Sequence, residues 1–148
     1  MRLSLDQWGL NLARETAKRG TCARRRAGCV LVNSHGHVLA TGYNGVAAGV
    51  QHCVEYPCQG VFSESGKDLD LCQAIHAEQN ALLQCRDVRS IASAYITVSP
   101  CITCVKLFLN TSCRKLVFAE LYPHPSSEEL WRSAGREWVQ LEEGSADV

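Results

Sequence analysis

The segments HAE (residues 76–78) and SPCITC (residues 99–104) decide the fold of this chain. His76, Cys101 and Cys104 offer one imidazole and two thiols, which are the ligand types that zinc prefers. The two cysteines are three residues apart, so one turn of helix places both on the same face. Three protein ligands leave the fourth tetrahedral position open, as in catalytic zinc sites. The pattern therefore predicts a catalytic metal centre.

The residues around these ligands predict two helices, over residues 75–85 and 102–109. Ser99 suits the N-cap of the second helix, and Pro100 suits its first helical position. Because a helix N-terminus stabilises negative charge, we expect both ligand cysteines to be thiolates.

Glu78 follows His76 by two residues, a spacing that does not place both side chains on one helix face. Its carboxylate is therefore predicted to lie beside the open coordination position, where it can carry protons to and from a reacting group. Alone, a C-x-x-C pair is also typical of a structural zinc site or a redox pair, and a lone H-x-E occurs by chance. The two halves together favour an enzyme. A non-catalytic zinc module that acts through protein contacts stays as the alternative.

Alternating helices and strands extend outward from these two segments. A first helix is predicted to begin after Ser4 and to end before Gly20, and a last helix covers residues 126–134. We expect one α/β domain over residues 1–148, in which residues 142–148 form a frayed tail. Five short β-rich segments are the predicted strands: residues 29–32, 38–41, 94–98, 115–119 and 138–141.

The amino-acid composition excludes several classes of protein. Of the 148 residues 46% are hydrophobic, which excludes a disordered chain. The 15 Lys and Arg residues balance the 15 Asp and Glu residues, so we expect no nucleic-acid polymer as a partner. No apolar run approaches the roughly 18 to 20 residues that span a membrane, and no signal-peptide core is evident. We expect a cytoplasmic protein with no membrane partner.

The nine cysteines are about 6% of the chain, below the roughly 8 to 10% of a disulfide scaffold, and their number is odd. In a reducing compartment, clustered thiols favour metal binding. Cys22, Cys53, Cys58 and Cys72 can form a closed structural zinc site, which would tie down the long Gly-rich segment after the second strand. His52 in place of one cysteine is a variant of this site. Free buried thiols are the alternative.

Several motifs together resemble the zinc-dependent deoxycytidylate (dCMP) deaminases, especially their bacterial and phage forms. The resemblance runs from about residue 8 to about residue 141. The H-x-E and P-C-x-x-C halves are shared with all zinc-dependent nucleoside, base and tRNA deaminases. The G-Y-N-G loop and the Cys-rich insert narrow the match to the dCMP branch. The motifs are TCARR (21–25), GYNG (42–45), HC (52–53), LC (71–72), HAEQNA (76–81) and VSPC (98–101).

The resemblance implies a three-layer α/β/α cytidine-deaminase fold with a central mixed sheet of five strands. It implies hydrolysis of dCMP to dUMP and ammonia, which supplies dUMP for thymidylate synthesis. His76, Cys101 and Cys104 would hold the catalytic zinc, and Glu78 would shuttle protons. Members of the family are often hexamers activated by dCTP and inhibited by dTTP, with Mg²⁺ bound alongside the effector. The alternatives are deaminases of dCTP, of a 5-modified dCMP, of a free base or of tRNA.

Substrate contacts are predicted on weaker grounds. Asn44 lies on a Gly-flanked turn, where it is either a turn residue or, as the resemblance favours, a contact to the sugar or the base. By resemblance, the Ala77 amide and groups near Ser99 are candidates to hold the pyrimidine.

Arg24, Arg25 and Arg26 form a basic cluster before the first predicted strand. The members of this cluster, Arg24 and Arg26 above all, are candidates to clamp a 5′-phosphate. A solvated basic loop is the alternative. Tyr122 follows the fourth predicted strand, where it either closes the substrate pocket on the nucleotide or packs as a partly buried aromatic residue.

Three segments depart from the pattern of the family. The chain has AGCV at residues 27–30 where the family commonly has VGAV, and VAAG at residues 46–49 where it commonly has a proline. It has Gly135-Arg136 where a Gly-Ile pair is usual. The change at residues 46–49 weakens the prediction of an effector site on that loop.

Overall fold

The computed structural model describes residues 1–62 and 73–141, so the predicted tail at 142–148 lies outside the described residues. All four predicted helices and all five predicted strands are present, with ends that lie within three residues of the predictions. No helix in the described part of the chain is both long and apolar enough to cross a membrane. The elements are α1 (Leu5–Ala17), β1 (Gly28–Asn33), β2 (Val38–Tyr43), α2 (Ala77–Gln84), β3 (Ile91–Val98), α3 (Ile102–Leu109), β4 (Lys115–Glu120), α4 (Pro125–Ser133) and β5 (Glu137–Gln140).

The described strands form one mixed sheet in the order β2-β1-β3-β4-β5. β1 is antiparallel to both β2 and β3, whereas β3, β4 and β5 run parallel. The β1–β2 hairpin turns as its sequence predicts. The Asn33 side chain accepts hydrogen bonds from the backbone N–H groups of His35 and His37, and Gly36 takes a positive φ of 79°.

Helices cover both faces of this sheet. Alternate residues of β1 point to opposite sides, since Val30 packs in the core under α1 and Leu31 in the core on the other face. The core that contains Leu31 also contains Ala81 of α2, Phe108 of α3 and Trp131 of α4. The predicted three-layer α/β/α arrangement is therefore confirmed.

Helix α1 begins as predicted, because the Ser4 hydroxyl accepts a hydrogen bond from the backbone N–H of Gln7. It ends at Ala17, and the following residues form tight turns in which Gly20 N–H donates to Ala17 O at 2.9 Å. The helix thus ends three residues before Gly20.

Helix α2 lies very close to strand β2. A Cβ atom on Gly42 would stand 2.3 Å from the backbone nitrogen of Ala81, so only glycine fits there. Just beyond β2, Gly45 and Ile75 exchange backbone hydrogen bonds of 3.1 and 2.8 Å. This bridge fixes the residue that immediately precedes His76, and with it the start of α2.

Candidate functional site

Three predicted ligands meet at one point. The His76 Nδ1 atom lies 3.3 Å from the Cys104 Sγ atom and 3.5 Å from the Cys101 Sγ atom. All three ligand atoms lie within 4.8 Å of one another, and they form the one such group among the described residues. Tetrahedral zinc with ordinary bond lengths would hold sulfur and nitrogen ligands about 3.6 Å apart. The triad therefore fits zinc by ligand type and by distance.

Two helix N-termini carry these ligands. His76 is the N-cap residue of α2, and Cys101 is the N-cap residue of α3. The predicted N-cap at Ser99 and the helical position at Pro100 were wrong, because α3 starts two residues later. The Ser99 hydroxyl instead accepts a hydrogen bond of 2.7 Å from the backbone N–H of Tyr122, so it is held by the loop after β4.

The pKa values of the two ligand thiols are shifted in opposite directions. A hydrogen bond donated by the Cys104 thiol, together with one from the His76 ring, lowers the pKa of Cys101 to about 3. The pKa of Cys104 is raised, because its proton is held by Cys101 and its side chain is buried. Two adjacent negative charges would repel each other, so a second thiolate requires the charge of a bound zinc ion, and the expectation of two thiolates stays a prediction. Zinc binding would release the remaining proton.

Glu78 lies in the first turn of α2, and only 6% of it is exposed. Burial away from water raises the pKa of its carboxyl group, and backbone hydrogen bonding and the charge of His76 offset this only in part. A carboxyl group with a raised pKa is suited to accept a proton and return it.

A cleft of about 190 Å³ opens over the metal-binding group. His76, Glu78 and Cys101 line one part of it. Of the predicted substrate contacts, Arg26 does not line the cleft. It lies exposed, with its Cβ atom beside Gly20 at the turn after α1. The predicted contacts that do line the cleft are Arg24, Asn44, Ala77, Ser99 and Tyr122.

Asn44 ties two segments of the cleft wall together. Its Oδ1 atom accepts a hydrogen bond of 2.8 Å from the backbone N–H of Ala27, and its Nδ2 atom donates one of 2.6 Å to the carbonyl of Arg25. The side chain therefore holds the basic loop in place. This role differs from both the simple turn residue and the simple substrate contact, although the residue does lie at the cleft.

Of the polar residues that line the cleft, the sequence did not indicate His124, and it placed Arg25 only within the basic cluster. Arg25 lines the cleft in place of Arg26, and its Nη2 atom lies 3.4 Å from Glu120 Oε2 at the end of β4. His124 lines it beside Tyr122. His124 could have been selected as a cleft residue because it lies two residues after Tyr122, in the loop that follows a central strand.

The second cysteine group is only partly within the described residues. Cys22, Cys53 and Cys58 are buried, and the sulfurs of Cys53 and Cys58 lie 3.7 Å apart. Two thiolates on one tetrahedral zinc ion would be about 3.8 Å apart, so this pair has a suitable spacing. His52 is exposed. Cys72 lies outside the described residues.

A family model matches residues 3–120, and its description is "Cytidine and deoxycytidylate deaminase zinc-binding region". The matched segment contains all three ligands of the metal-binding group and Glu78.

Curated relatives include two yeast deoxycytidylate deaminases. The protein of Schizosaccharomyces pombe is 39% identical over 145 residues, which cover 95% of this chain and 44% of that protein. The protein of Saccharomyces cerevisiae is 36% identical over 124 residues, which cover 82% of this chain and 39% of that protein. The chain thus spans less than half the length of these two relatives.

The fold is also that of a solved dCMP deaminase. The enzyme of cyanophage S-TIM5, crystallised in complex with dCMP and dUMP, superposes with a TM-score of 0.77 at 21% identity. The superposition covers 95% of this chain and 99% of the phage chain. The two proteins therefore share the three-layer architecture over the superposed residues.

Proposed function

The chain belongs to the family of cytidine and deoxycytidylate deaminases, and from this premise we propose that it hydrolyses dCMP to dUMP and ammonia. The observation that carries the proposal is the buried carboxylate of Glu78 beside a His-Cys-Cys group of zinc-binding geometry. The names of the two yeast relatives and of the phage enzyme support dCMP as the substrate.

His76, Cys101 and Cys104 would hold the zinc ion, which supplies a water molecule whose pKa is lowered from about 15.7 to about 7. Glu78 accepts a proton from the attacking water and passes it to N3 of the pyrimidine while the water oxygen bonds to C4. Glu78 then carries the second proton from this oxygen to the amino group. The C4–N bond breaks, ammonia leaves and a C4 carbonyl remains, so the atoms balance.

The remainder of the nucleotide would lie along the loops at the other part of the cleft. Arg24 and Arg25 bring positive charge to the segment before β1, and the Asn44 side chain holds that segment against the end of β2. A planar guanidinium group suits a phosphate because it donates two parallel hydrogen bonds. Ala77 and Ser99 border the cleft near the ligands, where the pyrimidine must lie.

A substrate panel tests this proposal. The purified, zinc-loaded protein is assayed for ammonia release from dCMP, dCTP, 5-methyl-dCMP, cytidine, cytosine and a tRNA anticodon stem. We expect dCMP to give the highest kcat/KM. Turnover of cytosine or tRNA with none of dCMP would overturn the proposal. The absence of turnover on every substrate, with zinc fully bound, would favour the non-catalytic module.

We also propose a second, structural zinc ion held by Cys22, Cys53, Cys58 and Cys72. The 3.7 Å spacing of the buried Cys53 and Cys58 supports it. Cys22 is buried too but does not lie within 4.8 Å of both, so it would have to move toward them to bind the same ion. Metal analysis of the purified protein is expected to give two zinc ions per chain, and one per chain in the Cys53→Ser variant. One zinc ion per chain in the unmodified protein would contradict this site, as would a full content of two in that variant.

Three further properties stay predictions: regulation by dCTP and dTTP with Mg²⁺, assembly into a hexamer, and a cytoplasmic location. A cavity of about 590 Å³ supports the effector prediction, because Lys18 and Arg19 line it together with residues 46–50. Measurement of dCMP turnover with added dCTP or dTTP, with and without Mg²⁺, tests it. Light scattering with and without these nucleotides tests the assembly.

A further inference from the structure

We propose that His124 is a substrate-binding residue that contacts the 5′-phosphate of the nucleotide. The inference rests on the proposed function and adds to it one residue and the group that this residue recognises. His124 lines the cleft but lies in the loop after β4, far along the chain from the metal-binding group.

The loop presents His124 and Tyr122 as one rigid unit. The backbone N–H of His124 donates to the Tyr122 carbonyl at 2.7 Å across Pro123, which is the bond of a three-residue γ-turn. The two rings lie 4.6 Å apart between centroids at an angle of 60°. Because proline restricts the backbone at the centre of the turn, both rings are held on the cleft side.

Further hydrogen bonds fix both ends of this turn. The Tyr122 N–H donates to the Ser99 hydroxyl at 2.7 Å, and the His124 carbonyl accepts from the N–H of Ser127 at 3.1 Å. The His124 side chain makes no capping hydrogen bond to α4, although the residue occupies the N-cap position. The imidazole is therefore not used to cap the helix, and it lines the cleft.

The chemistry of the cleft indicates which group His124 meets. The ligands and Glu78 fix the place of the pyrimidine C4 atom, so the sugar and phosphate extend toward the loops. The loop that carries Arg24 and Arg25 adjoins the end of β4, because Arg25 Nη2 lies 3.4 Å from Glu120 Oε2. Arg24, Arg25 and His124 all line this cleft and offer guanidinium and imidazole N–H donors, as a phosphate requires.

The test compares His124→Phe with the unmodified protein on dCMP and on deoxycytidine, which lacks the phosphate. Phenylalanine keeps the ring beside Tyr122 but removes the N–H donors. We expect KM for dCMP to rise about tenfold or more, because a hydrogen bond to a charged group is lost. kcat for dCMP and kcat/KM for deoxycytidine are expected to change less than about twofold. His37→Phe, on the exposed β1–β2 turn, is the matched control.

An unchanged KM for dCMP in His124→Phe would overturn the inference, since ring packing alone would then suffice. An equal loss on deoxycytidine would also overturn it, because the contact would then not be to the phosphate. Calorimetric titration with dUMP and deoxyuridine measures the same contact without turnover. Weaker dUMP binding in the variant, in a protein that does not deaminate dCMP, would support the phosphate contact and reject the proposed function.

Discussion

Glu78 is the residue on which the proposed reaction depends most directly. It is almost fully buried, its pKa is raised by burial, and it follows a zinc ligand by two residues. In the proposed reaction this carboxylate moves protons at the open coordination position, and it leaves the three proposed ligands free to bind the metal.

Glu78→Gln is expected to lower kcat for dCMP by about 10²–10⁴-fold, because the amide cannot carry a proton. Zinc content, measured by mass spectrometry of the metal, is expected to stay the same since Glu78 is not a ligand. Glu129→Gln, at an exposed position on α4, is the control. Full activity of the Glu78 variant would remove this residue from the mechanism.

Among the elements, α2 and α3 bear the site, because both start at a metal ligand. Helix α3 is also held at its other end. The Arg136 guanidinium donates to the carbonyls of Phe108, Leu109 and Cys113 at 3.0, 2.9 and 2.8 Å, and it lies 5.2 Å from the centre of the Trp131 ring. This gives a physical reason for arginine where the family usually has isoleucine.

Arg136→Met is expected to lower the free energy of unfolding by about 2–4 kcal/mol, because several partly buried carbonyls lose their donor. Urea denaturation followed by circular dichroism measures this free energy of unfolding. Arg89→Met, at an exposed position, is the control and should change stability little. Equal values for the two variants would show that the carbonyl contacts of Arg136 contribute nothing.

Gly42→Ala tests the contact between β2 and α2. The added methyl group would meet the backbone of Ala77 and Ala81 at 2.4 and 2.3 Å, so α2 must move. We expect a loss of about 1–3 kcal/mol in the free energy of unfolding. Zinc affinity should also fall, since His76 begins α2. Thr41→Ala, on the exposed side of the same strand, is the control, and a zinc affinity equal to that of the control would contradict the prediction.

At the scale of the whole molecule, one polar network joins the α1 layer to the sheet. The Tyr95 hydroxyl donates to Asp6 Oδ1 at 2.8 Å, and Lys115 Nζ lies 2.7 Å from Asp6 Oδ2. Burial is the main cause that raises the pKa of Tyr95, and the hydrogen bond to Asp6 raises it further.

This network predicts a loss of stability at alkaline pH. Above about pH 10 the unfolded chain loses the tyrosine proton whereas the folded protein keeps it, so the free energy of unfolding falls as pH rises. Urea denaturation at about pH 9 and about pH 11 measures the change. Tyr95→Phe should show a smaller decrease because it has no such proton, and an equal decrease in both proteins would contradict the assignment.

The meeting of His76, Cys101 and Cys104 in one group and the order of strands and helices were predictable from the sequence. Each depends on residue type and short-range spacing: a C-x-x-C pair meets on one helical turn, and apolar periodicity marks each strand. The start of α3 was not predictable. Ser99 is a good N-cap residue, but its hydroxyl is engaged by Tyr122, 23 residues later.

The sequence by itself therefore determined which ligand-type side chains meet at the metal-binding group, and the tertiary structure decided which loop residues surround the cleft. Arg25 and His124 line it and Arg26 does not, although all three lie in polar segments of similar character. The reason is physical. Loop side chains are placed by hydrogen bonds between segments distant in sequence, such as Asn44 with Ala27, and no local pattern encodes those contacts.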